Sequence, residues 1–277
     1  MSPARAPTPT DVPELETAAT LGKPALADYA KAASAYVLRS PTLGDKSKKA
    51  AQLKLSLVLG RVLAHDLQKA APGLIGTSGD LVAGERKVSG ALRTVNADVS
   101  ELHRLDGLRL AVEIKPVNLA VGRAIWNRFG DIRTFAVNLH LRFPFAVVGG
   151  VLSIPTWEWT SGKTKQKKPT THLIQRAITR LVRAGGRETE GDAAHLLEAV
   201  AVVVYDPDSG SISGTVPSPG SGLRWEEFVK ALVAAYAARY EGQEEALKAM
   251  PSAEESAGGI DSEDPSSGAN DPQGNGA

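Results

Sequence analysis

Two carboxylates and a lysine stand out in the middle of the sequence because they fall on segments with the residue pattern of β-strands. They are Asp98, Glu113 and Lys115. Strand residues two apart share a face, so Glu113 and Lys115 point the same way, while Val112 and Ile114 point into a core. Carboxylate oxygens are ligands that Mg²⁺ prefers, and Mg²⁺ also takes phosphate oxygens. A metal-activated water beside an ammonium group has the character of a nucleophile for phosphate chemistry.

A predicted β-hairpin brings these residues together. Two runs with period-two alternation flank Asp106-Gly107, which predicts a tight turn because Gly readily takes the positive φ of a type I′ turn. A two-residue turn there pairs Asp98 with Lys115 and places it diagonal to Glu113. A four-residue turn places Asp98 beside Glu113 on the same face. A slip of one residue would send Asp98 to the opposite face.

The pattern Asp-x14-Glu-x-Lys on adjacent strands resembles the PD-(D/E)xK nuclease superfamily, whose best-known members are type II restriction endonucleases. In this sequence it is Asp98 followed by Glu113-Ile114-Lys115. The order of predicted elements over about residues 45–155 also matches the family core of helix, β-meander, helix and strand. The sequence departs from the family pattern at Ala97, where the family often has Pro.

The resemblance implies a Mg²⁺-dependent DNA endonuclease, with Asp98, Glu113 and the carbonyl of Ile114 binding the metal and Lys115 orienting or activating the water. It implies hydrolysis that leaves 5′-phosphate and 3′-hydroxyl ends. Because cutting both strands usually needs two copies of a single site, we expect a homodimer on double-stranded DNA. A restriction enzyme would also have a cognate DNA methyltransferase in the same system, not as a bound subunit.

Alternative interpretations stay open at this point. The trio could be a structural cross-strand ion pair between Lys115 and Asp98, with Glu113 exposed. Asp106 is a rival for the acidic position, although it lies roughly 23 Å from Glu113 along an extended strand. Glu85-Arg86-Lys87 repeats the Glu-x-Lys spacing in a Gly-flanked polar stretch where no buried strand is expected. The chain could also be a repair, recombination or phage-defence nuclease, or a non-catalytic DNA-binding protein on the same fold.

Basic residues outside the trio are candidates for DNA contacts. Lys163, Lys165, Lys167 and Lys168 fill a loop predicted over 157–171. Arg123 and Arg128 lie on the helix predicted after the motif, where Arg can bond base edges or phosphates. A solvated loop and ordinary helix-surface polarity are the competing interpretations of these two sets.

Hydrophobic periodicity predicts an α/β fold, a mixed central β-sheet flanked by helices. The predicted helices are 26–38, 45–71, 119–139, 172–184 and 225–240, and the predicted strands are 95–102, 108–114, 145–154 and 199–205. We expect a flexible arm over 1–25, a single nuclease-like domain over 26–250 and a disordered acidic tail over 251–277.

Composition narrows the functional classes. The 277 residues include no Cys, which excludes disulfides, thiol nucleophiles and Cys-based zinc sites. No apolar run approaches the roughly 20 residues of a membrane helix, and the first residues lack the apolar core of a signal peptide, so we expect a cytoplasmic protein without membrane contact. The formal net charge is +1, and because six acidic and no basic residues lie beyond Pro251, residues 1–251 carry +7. A basic body suits a polyanionic partner.

Overall fold

The computed structural model describes residues 11–77 and 80–242. Its centre is a six-stranded sheet with the strand order β1-β2-β3-β4-β7-β8. The β1-β2-β3 meander is antiparallel, β3, β4 and β7 are mutually parallel neighbours, and β8 is antiparallel to β7. The strands are β1 (Leu81–Ser89), β2 (Thr94–His103), β3 (Gly107–Pro116), β4 (Val147–Pro155), β5 (Trp157–Trp159), β6 (Lys167–Pro169), β7 (Ala199–Asp206) and β8 (Ser211–Ile212). The predicted mixed α/β fold is confirmed.

Helices cover both faces of the sheet. They are α1 (Pro13–Thr20), α2 (Leu26–Arg39), α3 (Asp45–Ala70), α4 (Val121–His140), α5 (Thr171–Leu181) and α6 (Trp225–Tyr240). The side chain of Ile114 faces Gly60 of α3, whereas Ala111 belongs to the apolar cluster formed with α4 and α5. Since these two β3 residues are three apart, they lie on opposite faces. Helix α3 therefore covers one face of the meander and α4 the other.

The strand β4 is packed so closely that two of its positions are glycine. A Cβ added at Gly150 would lie 2.5 Å from the Cγ2 of Ile132 on α4, and one added at Gly149 would lie 3.1 Å from the ring of Phe228 on α6. Real Cβ atoms do not approach as closely as 2.5 Å and rarely approach to 3.1 Å, so the helices on both faces pack close to the strand because these side chains are absent. The sequence of a buried strand such as β4 is thus constrained by close packing as well as by hydrophobicity.

A fully buried carboxylate joins segments that are far apart in the sequence. One oxygen of Glu198 accepts hydrogen bonds from the backbone N–H of Val148 at 2.8 Å and from His140 Nε2 at 3.2 Å. The other lies 2.7 Å from Arg239 and 3.3 Å from Arg187. Burial raises the pKa of Glu198, but the hydrogen bond and charge of His140 and the charge of Arg239 outweigh it, so this pKa lies below its ordinary value. The cluster holds the start of β4, the end of α4 and α6 together.

The N-terminal arm and the basic loop differ from the predictions. Pro13–Thr20 forms α1, whose Leu15 is buried and whose Glu16 pairs with the buried Lys54 of α3. The prediction of a flexible arm is wrong for this segment, because a short apolar face and one ion pair dock it. Residues 157–171 are not simply a loop, since β5 and β6 within them form an antiparallel hairpin.

The domain boundaries can be compared only in part. A boundary between two units of the chain falls between Arg239 and Tyr240. The first unit ends before residue 250, where the predicted domain ends. Residues 1–10 of the predicted arm and the predicted tail 251–277 lie outside the described residues. Among the helices that the structure describes, none is both long and apolar enough to cross a bilayer.

Candidate functional site

The candidate site lies on β2 and β3, but in a different register from the one that a two-residue turn gives. The strand pairs run Glu101 with Leu110, Ser100 with Ala111 and Val99 with Val112. Continued by one step, this register sets Asp98 opposite Glu113 instead of Lys115. The register that the sequence assigned to a four-residue turn is therefore the one observed next to the site.

The turn itself explains the difference. His103 pairs with Gly107, which leaves three residues in the turn. The next pairs are Leu102 with Leu108 and Glu101 with Leu110, so Arg109 is a bulged residue of β3 that has no partner on β2. Gly107 has a φ of +73°, as the turn prediction requires. The predicted two-residue turn is wrong because the turn holds three residues, 104–106, and the bulge at Arg109 then shifts the pairing by one residue beyond the turn. Arg109 is 1% exposed and bonds Asp106 through Nε at 2.7 Å.

Asp98 is held by backbone and helix contacts at the point where the β2–β3 pairing stops. One carboxylate oxygen accepts the backbone N–H of Ile114 at 2.7 Å, and the other accepts the hydroxyl of Ser56 on α3 at 2.8 Å. Burial raises the pKa of Asp98, and the hydrogen bonds from Ile114 and Ser56 and the charge of Lys115 act against that rise. The carboxylate is therefore oriented, but its negative charge is only partly compensated.

Glu113 and Lys115 form an ion pair with each other on the same strand. The Glu113 side chain is 9% exposed and that of Lys115 is 23% exposed, so the pair lies at the boundary of the core. The pKa of Glu113 is raised to about 7, chiefly by burial; the charges of Asp98 and of Asp131 on α4 contribute to this rise, and the charge of Lys115 acts against it. The alternative of a Lys115–Asp98 ion pair is not what the structure has, since the lysine bonds Glu113.

The donor set at this point suits a hard divalent cation. Asp98 and Glu113 supply carboxylate oxygens from adjacent strands, and the carbonyl of Ile114 between them accepts only a 3.4 Å contact from Ser56. Within residues 11–77 and 80–242, no three His, Asp or Glu side chains form a ready-made metal cluster. A metal here would thus be held by two carboxylates and a backbone oxygen, with waters or substrate completing its shell, as Mg²⁺ accepts. A cation would also compensate the charge that raises both carboxyl pKa values.

The two rival acidic positions have other environments. Asp106 lies in the turn, where its carboxylate pairs with Arg109 at 2.6 Å and with His103 at 3.0 Å. These contacts make it an anchor of the turn at the end of β3 away from Glu113. Glu85-Arg86-Lys87 lies on the edge strand β1, in which Val88 is the one buried residue, so the strand around it is not a buried one, as predicted. A bulge sets Gly84 and Glu85 opposite Asp98, and the charge of Glu85 adds to the rise in the pKa of Asp98.

The predicted DNA-binding residues are dispersed over two regions. Lys163 and Lys165 lie between β5 and β6, and Lys168 is an exposed residue of β6. Lys167 is already engaged, because it pairs with Asp208 and lies 4.5 Å above the ring of Trp157.

On α4, Arg123 is exposed, whereas Arg128 pairs with Asp131 at 3.0 Å. Because Asp131 also acts on Glu113, α4 connects this second region to the candidate site.

Two participants of the site were missed at the sequence level. Ser56 lies in a helical run where a serine gives no sign of a chemical role. It reaches Asp98 because Gly60, one turn later, lets α3 approach the strand. A Cβ at Gly60 would lie 3.3 Å from the carbonyl oxygen of Asp98. Asp131 was not singled out on α4. The i, i+4 spacing of Ser56 and Gly60 was the one available signal, since small residues at that spacing permit close helix packing.

Comparison with known proteins adds no relative, because no family model, no curated protein and no solved structure matches the chain. The function is consequently inferred from the geometry of the site and from the order of the elements that carry it.

Proposed function

We propose that this protein is a Mg²⁺-dependent DNA endonuclease of the PD-(D/E)xK type. The observation that carries the proposal is the position of Asp98 and Glu113-Ile114-Lys115 on adjacent strands. Support also comes from topology, because α3, the β1-β2-β3 meander, α4 and then β4 parallel to β3 follow the element order of that family's core. Three side chains and six elements agree on one class of site.

In this proposal the carboxylates of Asp98 and Glu113 and the carbonyl of Ile114 hold Mg²⁺. The ion, when bound, supplies positive charge for the phosphate and lowers the pKa of a water. Ser56 and the Ile114 N–H keep the Asp98 carboxylate in one orientation. Lys115 is the mobile cation of the site: its ammonium group leaves Glu113 to orient the attacking water and to stabilise charge on the scissile phosphate. Hydrolysis then breaks the bond to the 3′-oxygen, which leaves 5′-phosphate and 3′-hydroxyl ends.

We further propose a sequence-specific type II restriction enzyme that acts as a homodimer. Each chain offers one Asp/Glu/Lys site, and cutting both strands of a duplex with twofold symmetry calls for two copies of it. A cognate methyltransferase encoded in the same system would protect the host DNA.

Plasmid cleavage tests the catalytic proposal directly. Supercoiled and linear DNAs are incubated with wild type and Lys115→Ala, in Mg²⁺ and in EDTA. Lys87→Ala is the matched control, because it removes the lysine of the second Glu-x-Lys pattern, on the neighbouring strand β1. We expect discrete fragments with wild type and Lys87→Ala in Mg²⁺, and none with Lys115→Ala or in EDTA. Sequencing the fragment ends gives the recognition site.

Two results would overturn the proposal. Cleavage by Lys115→Ala at the wild-type rate would remove the lysine from catalysis. The absence of cleavage by wild type on unmethylated DNAs of varied sequence, with DNA binding intact and equal in Lys115→Ala, would leave the trio a structural ion pair. A smear in place of discrete fragments would support a nuclease and contradict the proposal of a sequence-specific restriction enzyme.

A further inference from the structure

Two arginines of α5 lie over the ring of a tryptophan on α4. The guanidinium carbon of Arg180 lies 4.1 Å from the centroid of the Trp126 ring, and that of Arg176 lies 5.0 Å from it. Both arginines are exposed, while Trp126 is partly buried and packs against the apolar core. We call these three residues the Trp126 clamp. The ring holds two long cationic side chains in fixed positions at the surface.

The charges of the clamp are not balanced by the elements that carry it. Arg176 and Arg180 are four residues apart on α5, where like charges repel each other. The α5 sequence contains no Asp or Glu, and α4 contains Asp131 alone, which pairs with Arg128. Within the described part of the chain, no acidic side chain forms an ion pair with either clamp arginine. Two preoriented cations without an internal counterion are suited to an external anion.

The clamp suits an oxyanion, and its place on the helix that also acts on the candidate site favours phosphodiester oxygens. The planar guanidinium group binds phosphate through two parallel hydrogen bonds, and stacking on Trp126 reduces the freedom lost in doing so. The clamp also shares α4 with Asp131, which acts on Glu113. Residues 126 and 131 are about 8 Å apart along the helix axis, so the clamp lies within two helical turns of the residue that acts on Glu113.

We propose that the Trp126 clamp binds two phosphates of the DNA backbone and so holds the duplex against α4 and α5. This proposal rests on the proposed function for the identity of the polyanion. Its contacts position the duplex without reading its sequence.

Binding to a fluorescent 30-base-pair duplex in EDTA tests the clamp, with the dissociation constant measured by anisotropy at several salt concentrations. Each phosphate contact contributes about 0.9 to the slope of log affinity against log salt, so two contacts contribute about 1.8. We expect Arg176→Ala/Arg180→Ala to lower the slope by about 1.8 and the affinity about 60-fold at 0.1 M salt. Both arginines are exposed, so the variant should fold, which circular dichroism and thermal unfolding verify.

Arg142→Ala is the matched control, because Arg142 is an exposed arginine stacked on Phe143, 5.6 Å from its ring centroid, beyond the C-terminal end of α4. We compare it with the single variant Arg180→Ala. Arg142→Ala should bind as wild type does, and Arg180→Ala should lose about half of the double variant's slope change.

The outcomes separate the clamp from the nuclease. Unchanged affinity and slope in the double variant would overturn the clamp, and so would an equal loss in Arg142→Ala, which would reflect total charge. A wild type that binds polyglutamate through these arginines but not DNA would overturn it as well. DNA binding that depends on the clamp, without plasmid cleavage, would support the clamp proposal and contradict the nuclease proposal. Plasmid cleavage, with DNA binding unchanged in the double variant, would support the nuclease proposal and contradict the clamp proposal.

Discussion

The substitution Glu113→Gln should stabilise the protein, and it should do so more at high pH than at low pH. Burial raises the pKa of Glu113 from 4.5 to about 7, so the folded state binds a proton more tightly than the unfolded state does. Wild-type stability therefore gains this contribution as pH falls through 7 and loses it as pH rises. One pKa unit corresponds to about 1.4 kcal/mol, which makes the cost of the charged form about 3 kcal/mol above pH 8. Gln resembles the protonated carboxyl and avoids this cost.

Chemical denaturation of both proteins from pH 4.5 to pH 8.5 measures the difference. The free energy of unfolding of Glu113→Gln minus that of wild type should be close to zero at pH 4.5 and should rise to about 3 kcal/mol at pH 8.5. Glu14→Gln is the control, because Glu14 is a surface carboxylate whose side chain is 43% exposed and paired with Arg39. Its difference should stay within about 1 kcal/mol at every pH. Mg²⁺ at pH 8 should stabilise wild type more than Glu113→Gln, since the ion binds the carboxylate.

A difference between Glu113→Gln and wild type that does not vary with pH, or that falls as pH rises, would contradict a raised pKa for Glu113. Either result would mean that Lys115 compensates the Glu113 charge fully. The site would then lack the uncompensated charge on which the argument for a cation depends.

Three further predictions test the packing and the hydrogen bonds around the sheet. Ser56→Ala should cost about 1–2 kcal/mol of unfolding free energy, because it removes a hydrogen bond to the buried Asp98 carboxylate; a cost no larger than that of Ser47→Ala near the start of the same helix would contradict this. Gly150→Ala should lower the free energy of unfolding by about 1–3 kcal/mol, because the added methyl group overpacks against Ile132. Gly130→Ala on α4 meets open space and should raise that free energy by up to about 1 kcal/mol. Equal denaturation midpoints for the two variants would contradict both expectations. Glu198→Gln should cost about 3–5 kcal/mol because it leaves buried guanidinium groups without a counterion, and a loss under about 1 kcal/mol in thermal or urea unfolding would show that water reaches the cluster.

Periodicity predicted the elements that have one clearly apolar face or a continuous apolar run. Helix α6 begins and ends at the predicted residues 225 and 240, and β2 and β3 lie within two residues of the predicted strands. Such patterns persist in the sequence because burial of a face constrains every second or every third to fourth residue. The edge strand β1 was largely missed, since its outer side is polar and its Gly84 has a φ of +127° at a bulge.

The details of the candidate site depend on contacts between distant segments, which no local pattern contains. The register of β2 and β3 follows from Arg109, which is buried against Asp106 and Tyr236 of α6 and so takes the extra position in the strand. The orientation of Asp98 follows from Ser56, which is 42 residues earlier in the chain. The sequence could therefore indicate which side chains meet, through alternation and one short turn, but not how their charges are held or compensated.

The carboxylate of Glu198 also bears on how the chain acquires its structure during synthesis. Three of its four side-chain and backbone partners precede it in the sequence, but Arg239 follows it by 41 residues, near the end of α6. A ribosome releases these partners in order, so β7 and the parallel strands are made before the last guanidinium group can reach the buried charge. Until then the carboxylate has one cation fewer than in the finished protein, and the sheet is less stable by that contact. Completion of α6 thus acts as the closing step for the sheet, and chains that stop short of residue 239 would be the ones exposed to proteolysis.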